Sequence, residues 1–340
     1  MKDFAVGVDV GNYDTKSQNT ITPSGYTDYI SKPLMASEML FYNGKYYVPS
    51  LEERLPYVMN KTQNDQALIL TLFGIAKEIL YYFRENPNYK GKIQSTAQLQ
   101  EEVNNIETIS LGVGLPPGHL DSLSEDTERY YLDTMGNGIK FSYKDNKLKD
   151  AVIEFNFKLN NFKIFPQDFS AVLMNDKLTI PSSFSKYVVI GVGGYTVDII
   201  PVIDRQSNVE RCTSLNLGTR PMYESIMNKV QAGTGISISE RSIEDVLFNR
   251  PHILDDKVVN IIKDVAATHS SLIINRCHQT GIEFSENPIV FVGGGALLLR
   301  PFFESNELIK KCEFVDSVNG NAQHFAKFLV AGLKSSKKQD

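Results

Sequence analysis

The stretch Gly7-Val8-Asp9-Val10-Gly11-Asn12-Tyr13-Asp14-Thr15-Lys16 indicates the fold of this 340-residue chain. Phe4–Val10 is mostly apolar and short, which is typical of a buried strand, and Gly11-Asn12-Tyr13-Asp14 is a turn signal. Glycine in such a turn lets the backbone approach a ligand and point several N–H groups at one anion. The stretch therefore predicts a buried strand that ends in a turn suited to phosphate.

The same pattern returns in the second half of the chain. Val8-Asp9-Val10-Gly11-Asn12-Tyr13 aligns with Ile190-Gly191-Val192-Gly193-Gly194-Tyr195, with Val, Gly and Tyr at the same places. A third glycine-rich turn, Gly293–Ala296, follows the apolar run Ile289–Val292. None of the three turns matches the P-loop or G-x-G-x-x-G patterns, which disfavours the two commonest nucleotide-binding folds. The repeat predicts two similar α/β domains.

Hydrophobic periodicity predicts the remaining elements. Helices are predicted at Gln66–Phe83, Arg220–Gln231, Asp255–His278, from about Arg300, and at Asn321–Gly332. Strands are predicted at Tyr26–Ile30, Met39–Tyr42, Thr108–Gly114, Ile139–Tyr143, Ile153–Leu159, Phe162–Phe165, Tyr187–Val192 and Val197–Val202. Asn43-Gly44 predicts a hairpin turn, residues 84–105 a loop with at most a short helix, and Pro166 a helix that opens at Gln167.

The composition is that of a globular protein, with 42% hydrophobic and 22% charged residues. A net charge of −5 disfavours broad, direct contact with nucleic acid, which requires a basic face. The three cysteines and five histidines are scattered, which indicates a reduced chain without a zinc site. We expect neither a signal peptide nor a membrane span, and hence a cytoplasmic protein.

The three turns together resemble the first phosphate loop, second phosphate loop and adenosine loop of the actin, heat-shock chaperone and sugar-kinase ATPase superfamily. Further details are similar to ParM-like bacterial actins, which segregate plasmids. The supporting stretches occur in the family's order and are Gly114–His119, Phe165–Asp168, Leu217–Arg220 and Gly235–Arg241. The resemblance implies an α/β fold of two similar actin-like (ribonuclease-H-like) domains with a nucleotide cleft between them. Domain I would hold residues 1–166 plus 321–340, and domain II residues 167–320.

The resemblance also implies which residues bind ATP, or alternatively GTP, and Mg²⁺. Asp9 would contact the hydrated Mg²⁺, Asp198 would lie near it through water, and Lys16 would face the β- and γ-phosphates. From the residues alone, the alternatives are that Asp9 caps a tight turn, that Asp198 is a turn or strand-edge residue, and that Lys16 is a solvated surface cation. The remaining implied contacts to nucleotide are Gly11, Asn12, Tyr13, Asp14, Thr15, Gly193, Gly194, Tyr195, Thr196, Gly218, Arg220, Glu224, Gly293, Gly294, Gly295 and Ala296.

The resemblance implies Gln167, Asp9 and Asp198 as the catalytic residues, and it also draws attention to Gly191 and Arg220. Gln167 would orient the attacking water, because phosphoryl transfer needs positioning more than a strong base; otherwise it is a polar residue at a helix start. Gly191 stands where the family usually has a water-orienting Asp, which puts the rate of hydrolysis in question, and Asp198 would supply part of that role. Arg220 would either stack on a base or pair with a carboxylate.

The function implied by the resemblance is a nucleotide-dependent, filament-forming ATPase that moves or segregates plasmid DNA through an adaptor. Its partners would be further copies of itself, joined head to tail, and the adaptor on the DNA. Two alternatives are a nucleotide-gated scaffold with little turnover, which Gly191 favours, and a small-molecule kinase of the same fold. The kinase would need an acidic general base, for which the sequence offers no clear candidate.

Overall fold

The computed structural model describes residues 2–54, 58, 60–148, 151–173 and 175–336, and these residues form two compact units. Unit 1 comprises the described residues of Met1–Leu115, His119–Ser170 and Asn319–Asp340. Unit 2 comprises the described residues of Pro116–Gly118 and Ala171–Val318.

Unit 1 is built on a nine-stranded mixed sheet with the order β3-β2-β1-β7-β9-β8-β5-β6-β4. Its strands are β1 (Asp3–Val10), β2 (Asp14–Lys16), β3 (Ile21–Pro23), β4 (Gly25–Tyr29), β5 (Met39–Tyr42), β6 (Lys45–Arg54), β7 (Thr108–Leu115), β8 (Ile139–Lys144) and β9 (Ile153–Pro166). Its helices are α1 (Gln66–Glu85), α2 (Thr96–Asn104), α3 (Leu120–Met135) and α11 (Gly320–Ser336), while α4 (Phe169–Leu173) begins in unit 1 and ends in unit 2.

Helix α1 lies in the core of unit 1, with apolar residues buried along most of its length. Among the described residues it is the one helix long and apolar enough to suit a membrane span, but 78% of its 18-residue apolar stretch is buried within the protein. Such burial is common for a core helix.

Helix α11 packs closely on β1 and β7 because both strands carry glycine where it crosses them. Gly7 pairs with Gly112 across the two parallel strands. A Cβ on Gly7 would lie 2.1 Å from the Ala322 carbonyl oxygen, and one on Gly112 would lie 2.9 Å from Phe325 Cβ. Phe325 is fully buried and stacks on Phe165 at 5.0 Å. Gly7 therefore serves helix packing, although it belongs to the glycine-rich stretch that opens the sequence.

The edge of β1 that faces β2 is only partly covered by that strand, which pairs with β1 at Asp9 and Val10 alone. Further along this edge, the Gln18 side chain takes the place of a strand. Its Oε1 accepts from the Gly7 amide at 3.1 Å, and its Nε2 donates to the Ala5 carbonyl at 3.2 Å. Two backbone hydrogen-bonding groups on this edge of β1 are thus satisfied by the side-chain amide of Gln18.

Unit 2 holds a six-stranded sheet with the order β12-β11-β10-β14-β15, and β13 pairs with β11. Its strands are β10 (Lys186–Val192), β11 (Val197–Ile203), β12 (Gln206–Ser207), β13 (Thr213–Leu215), β14 (Ile289–Val292) and β15 (Cys312–Phe314). Its helices are α5 (Ile180–Ser183), α6 (Thr219–Thr234), α7 (Glu240–Leu247), α8 (Asp256–Gln279), α9 (Gly294–Leu298) and α10 (Arg300–Glu304). The repeat predicted from the sequence is confirmed at the level of a mixed α/β chain with two sheets.

Several element predictions need correction. Pro166 does not open a helix: it ends β9, Gln167 and Asp168 form a turn, and α4 begins at Phe169. The Gln167 amide donates to the Leu115 carbonyl at 2.9 Å and so continues the β7–β9 pairing, while Asp168 has a φ of +61°, which no helix accommodates. The strands predicted at Ile153–Leu159 and Phe162–Phe165 are one strand, β9, which shifts register opposite Ile109/Ser110.

Candidate functional site

Asp9 is the centre of the candidate site in unit 1. It is buried near the end of β1, and its carboxylate is held by two side-chain amides. Gln167 Nε2 donates to Oδ1 at 2.5 Å, and Asn321 Nδ2 donates to Oδ2 at 3.0 Å. Both donors are neutral, so they fix the orientation of the carboxylate without cancelling its charge. A buried carboxylate that is oriented by neutral donors is suited to a cation.

The segment β1–turn–β2, residues 9–16, is here named hairpin 1. Asp9 and Lys16 are directly opposite in its register, so their side chains leave the sheet on the same face. Within the part of the chain that the structure describes, Lys16 forms no ion pair. Asp9 and Lys16 thus offer one negative and one positive group side by side, the charges that a Mg²⁺–triphosphate requires.

The turn of hairpin 1 is tied down by Ser24. The Ser24 amide donates to the Tyr13 carbonyl at 3.0 Å, and its hydroxyl donates to the Gly11 carbonyl at 2.6 Å. The buried Thr15 hydroxyl also bonds to Ser24 Oγ at 3.0 Å. Thr15 is therefore engaged inside the protein, and Gly11 is required by the turn, because a Cβ there would lie 2.5 Å from the Asp14 carbonyl. Asn12 and Tyr13 are half-buried in the same turn, and Asp14 is half-buried at the start of β2.

Residues 191–198 of unit 2 form hairpin 2, the counterpart of hairpin 1. Its turn is Gly193-Gly194-Tyr195-Thr196, and the start of α6 is bonded to it. The amides of Gly218, Thr219 and Arg220 donate to the carbonyls of Tyr195, Gly193 and Gly194 at 2.9, 3.0 and 2.7 Å. These three amides at the start of α6 therefore hold the loop, so they serve loop geometry rather than an anion.

Asp198 and Gly191 face each other across hairpin 2. Asp198 is buried, accepts a hydrogen bond from the Ser214 hydroxyl, and is reached by Thr196 Oγ1 at 3.3 Å. Gly191 is buried inside β10 and does not have a positive φ. Since side chains opposite each other in an antiparallel pair share a face, a carboxylate at position 191 would lie beside that of Asp198.

Arg220 and Glu224 form an ion pair along α6, at 3.1 Å, and Arg220 also reaches Glu240 of α7 at 3.5 Å. Of the two roles predicted for Arg220, the structure therefore contains the carboxylate pairing. Behind them, His269 of α8 donates through Nε2 to the carbonyls of Leu217 and Gly218 at 3.0 and 3.1 Å. Burial lowers the pKa of His269, so it is neutral and acts as a hydrogen-bond donor to the start of α6.

The third glycine-rich turn, Gly293–Ala296, mainly packs against neighbouring residues of unit 2. Gly293 has a φ of +98°, and a Cβ there would lie 2.6 Å from the Val192 carbonyl. A Cβ on Gly295 would lie 2.7 Å from Thr219 Cγ2, and Ala296 is buried. A Cβ on Gly294 would meet no atom within 4 Å. Of these four residues, Gly294 is therefore the one where a ligand can approach the backbone without displacing protein atoms.

The residues present fit a hydrated Mg²⁺ better than a metal held entirely by protein. Among the described residues, no group of three or more His, Cys, Asp or Glu could hold a metal ion. Mg²⁺ commonly keeps several waters and binds one or two carboxylates together with phosphate oxygens. Asp9, with its charge intact and its orientation fixed by two amides, supplies such a carboxylate.

Two polar contacts near Asp9 could not be inferred from the sequence. Asn321 lies in the first turn of α11, where a lone Asn resembles an ordinary helix-start residue. Lys61 donates from Nζ to the Val10 carbonyl, next to Asp9, and no motif marks it. The only signal for Asn321 was the prediction that a helix starts at this residue.

The comparisons with known proteins concern the fold of the chain. The family model described as "Archaeal actin homologue MreB-like, C-terminal" matches residues 189–305, all within unit 2. Ta0583, an archaeal actin homologue solved in complex with ADP, is 18% identical, with a TM-score of 0.68 over 96% of this chain and 99% of that chain. No curated protein sequence matches the chain.

Two ParM structures are also similar. A 15-stranded ParM filament from Clostridium botulinum is 17% identical, with a TM-score of 0.69 over 97% of this chain and 100% of that one. A Bacillus thuringiensis ParM solved with ATP is 12% identical, with a TM-score of 0.63 over 99% and 100%. The chain has the actin-like fold. The fold predicted from the three turns of this actin-like chain is thus confirmed.

Proposed function

We propose that this actin-like chain is a Mg²⁺-dependent ATPase that assembles head to tail into filaments in the cytoplasm. The observation that carries the proposal is the Asp9 carboxylate, buried and oriented by two neutral amides, directly opposite Lys16 in hairpin 1. ADP and ATP are the nucleotides of two similar structures, and a third is a filament.

Each residue of the proposed site would have a separate role in ATP hydrolysis. Bound Mg²⁺ would neutralise charge on the phosphates and the leaving group. Asp9 would hold the metal's water shell, and Lys16 would face the phosphate oxygens as a point charge. Gln167 would orient the attacking water through its side-chain amide, a task that needs no strong base. In hairpin 2, Asp198 would accept from a water of the metal shell.

We further propose that the filament moves plasmid DNA through an adaptor protein. The net charge of −5 supports indirect contact, because a protein that binds DNA directly and broadly needs a basic face. The similarity to ParM structures supports the filament. A head-to-tail contact is heterologous and does not close on itself, so it propagates into a polymer.

The test combines electron microscopy with an assay of phosphate release. Purified protein is imaged with Mg-ATP, with Mg-GTP and with a non-hydrolysable ATP analogue. Filaments with nucleotide, together with steady phosphate release, are the expected result. Absence of filaments under all three conditions would overturn the polymer, and absence of nucleotide binding by calorimetry would overturn the ATPase.

Gly191 favours one second candidate, a nucleotide-gated scaffold with little turnover. Asp198 faces a glycine across hairpin 2, so hairpin 2 offers one carboxylate where two could stand. Filaments that form with ATP but release phosphate no faster than the buffer control would support this scaffold.

A further inference from the structure

The Asn321 side chain joins two segments of unit 1 that are far apart in sequence. Its Nδ2 donates to Asp9 Oδ2 at 3.0 Å, and its Oδ1 accepts from the Asp168 amide at 2.9 Å. A carboxamide can donate and accept at its two ends at the same time, so it suits such a bridge. One end of the bridge lies on the proposed metal-binding carboxylate, and the other lies on the turn that carries Gln167.

Helix α11 gives Asn321 little freedom to move. Its first turn lies against β1 at Gly7, where even a methyl group would meet the Ala322 carbonyl, one residue after Asn321. The fully buried Phe325 and Leu329 anchor the following turns. Because a buried helix of this length does not shift locally without disturbing its packing, Asn321 is held by the core of unit 1.

The turn at Asp168 needs such support. Asp168 has a φ of +61°, a conformation that costs energy for a residue other than glycine. Besides the Asn321 bond, the turn is held by the Gln167 amide on the Leu115 carbonyl, at 2.9 Å, and by the Ser170 hydroxyl on the Pro166 carbonyl, at 2.6 Å. Asn321 is therefore a second side chain, beside Gln167, that ties this turn to Asp9.

Gln167 and Asn321 bind different oxygens of Asp9, and this division has a consequence for the proposed reaction. Gln167 can orient a water through its Oε1 while its Nε2 stays on Asp9 Oδ1, because a carboxamide has both a donor and an acceptor end. Asp9 is then held at both oxygens, by Gln167 at Oδ1 and by Asn321 at Oδ2. We propose that Asn321 is a positioning residue for the ATPase, which holds Asp9 and the Asp168 turn in register and so fixes Gln167 relative to Asp9. This inference rests on the proposed function.

The test compares Asn321→Ala and the shape-preserving Asn321→Leu with the matched control Asn319→Ala. Asn319 is also half-buried and lies at the entrance to α11, but its Nδ2 donates to the carbonyls of Ser17 and Thr20 at 2.7 and 3.1 Å. It contacts neither Asp9 nor Asp168 through these bonds. The control therefore reports what losing a structural amide at this helix start does by itself.

The first measurement is hydrogen exchange of the Asp168 amide in nucleotide-free protein. Loss of one hydrogen bond should speed its exchange at least about fivefold in both Asn321 variants, and Asn319→Ala should leave it at the wild-type rate. The second measurement is calorimetric affinity for ATP with Mg²⁺ and with EDTA. Loss of a group that orients a metal-binding residue should weaken Mg-ATP binding about tenfold or more and leave ATP binding in EDTA unchanged.

The outcomes separate the inference from the proposed function. Unchanged Asp168 exchange, or Mg-ATP affinity equal to that of Asn319→Ala, would overturn the positioning role of Asn321 even if the protein is an ATPase. Failure of the wild-type protein to bind Mg-ATP would instead overturn the proposed function, and the positioning role with it.

Discussion

Hairpin 1 and hairpin 2 have corresponding pairing registers and different side chains. In each, a buried strand enters a four-residue turn and returns antiparallel, with Val10 opposite Thr15 in one and Val192 opposite Val197 in the other. The carbonyls of Tyr13 and Tyr195 accept equivalent bonds, from the amides of Ser24 and Gly218. The next pair along the strands, away from the turn, differs between the hairpins. It is Asp9 and Lys16 in hairpin 1, and Gly191 and Asp198 in hairpin 2.

The difference shows that two hairpins with the same pairing register can carry different charges. The pairing register puts Gly191 in the place of Asp9 and Asp198 in the place of Lys16. At this pair of positions hairpin 1 therefore carries an acidic and a basic side chain, whereas hairpin 2 carries the acidic Asp198 opposite a glycine. The similar turns explain why the repeat is visible in the sequence, and the unequal pairs predict unequal consequences when each hairpin is changed.

The largest effect is expected from removing the acid of hairpin 1. Asp9→Ala should weaken Mg-ATP binding by more than about a hundredfold, because even a group that only supports a metal-binding residue contributes about 10–100-fold. Calorimetry measures the affinity, and circular dichroism checks that the fold is intact. Asp198→Ala, the comparison in hairpin 2, should cost less. Equal affinity of Asp9→Ala and wild type would contradict the site.

The next largest effects are expected at Gly7 and Gly218, two glycines at close contacts between a strand or loop and a helix. Gly7→Ala would bring a methyl group to 2.1 Å from the Ala322 carbonyl, and Gly218→Ala would bring one to 2.4 Å from the Gly194 backbone. Each should lower the free energy of unfolding by about 3 kcal/mol, measured by urea titration. Gly233→Ala, inside α6 and 3.4 Å from Ile261 Cδ1, is the tolerated control. Wild-type stability of Gly7→Ala would contradict the packing described here.

Gln167→Ala tests whether the amide on Asp9 acts in turnover. Water positioning is a transition-state interaction, so phosphate release should slow about a hundredfold while Mg-ATP affinity changes much less. Polymer, if formed, should persist longer. Phosphate release and calorimetry on the same preparation give both numbers. Equal losses in binding and in turnover would mean that Gln167 only supports Asp9.

Gly191→Asp would make hairpin 2 more like hairpin 1. Gly191 lies in a strand without a positive φ, so its backbone conformation is one that any residue adopts. The new carboxylate would lie roughly 5 Å from Asp198, measured between Cβ atoms, and should lower the thermal stability of Mg²⁺-free protein by like-charge repulsion. With Mg²⁺, turnover should rise about tenfold if the carboxylate orients water. Lower stability without any gain in turnover would contradict this expectation.

The smallest effect concerns two buried histidines, His269 in unit 2 and His324 in unit 1. His269 bonds to α6 in unit 2, whereas His324 of α11 is buried with no hydrogen-bond partner for Nδ1 among the described residues. Burial, with a smaller contribution from Lys327, lowers the pKa of His324 to about 4. The folded protein thus leaves His324 neutral while the unfolded chain takes up a proton below about pH 6.5.

Stability should therefore fall as the pH drops from about 6.5 towards 4, by up to about 1.4 kcal/mol per pH unit from this group. His324→Phe should flatten that part of the profile, since its neighbours Phe165 and Phe328 are aromatic. Urea unfolding at pH 7, 6 and 5 measures the difference. A variant that loses as much stability as wild type over this range would contradict the assignment.

Much of the fold was predictable from the sequence, because the buried strands and amphipathic helices carry a strong apolar pattern. Helix α3 was not predicted, since only Thr127, Tyr131 and Met135 of its residues are buried and its periodicity is weak. The turn at Gln167 was predicted wrongly because tertiary pairing with Leu115 and the positive φ of Asp168 decide it. The domain boundaries at 166/167 and 320/321 stay a prediction.

The candidate site was predictable only in part. Asp9 and Gln167 were named from the resemblance, and the structure brings them together, although their roles stay predictions. Composition could not separate glycines that pack closely, such as Gly7, Gly293 and Gly295, from those with open space beside them, such as Gly294. Asn321 was missed because its two bonds depend on helix packing 312 residues away from Asp9 in sequence.

The Gln18 side chain, which bonds to the edge of β1, protects the chain from unwanted strand pairing between copies. An uncovered strand edge offers N–H and C=O groups to any passing strand and is a common start of aggregation. Gln18 occupies the Gly7 amide and the Ala5 carbonyl, the groups that a foreign strand would need at this edge. A chain proposed to assemble in one specific way is thus protected here from assembling in another.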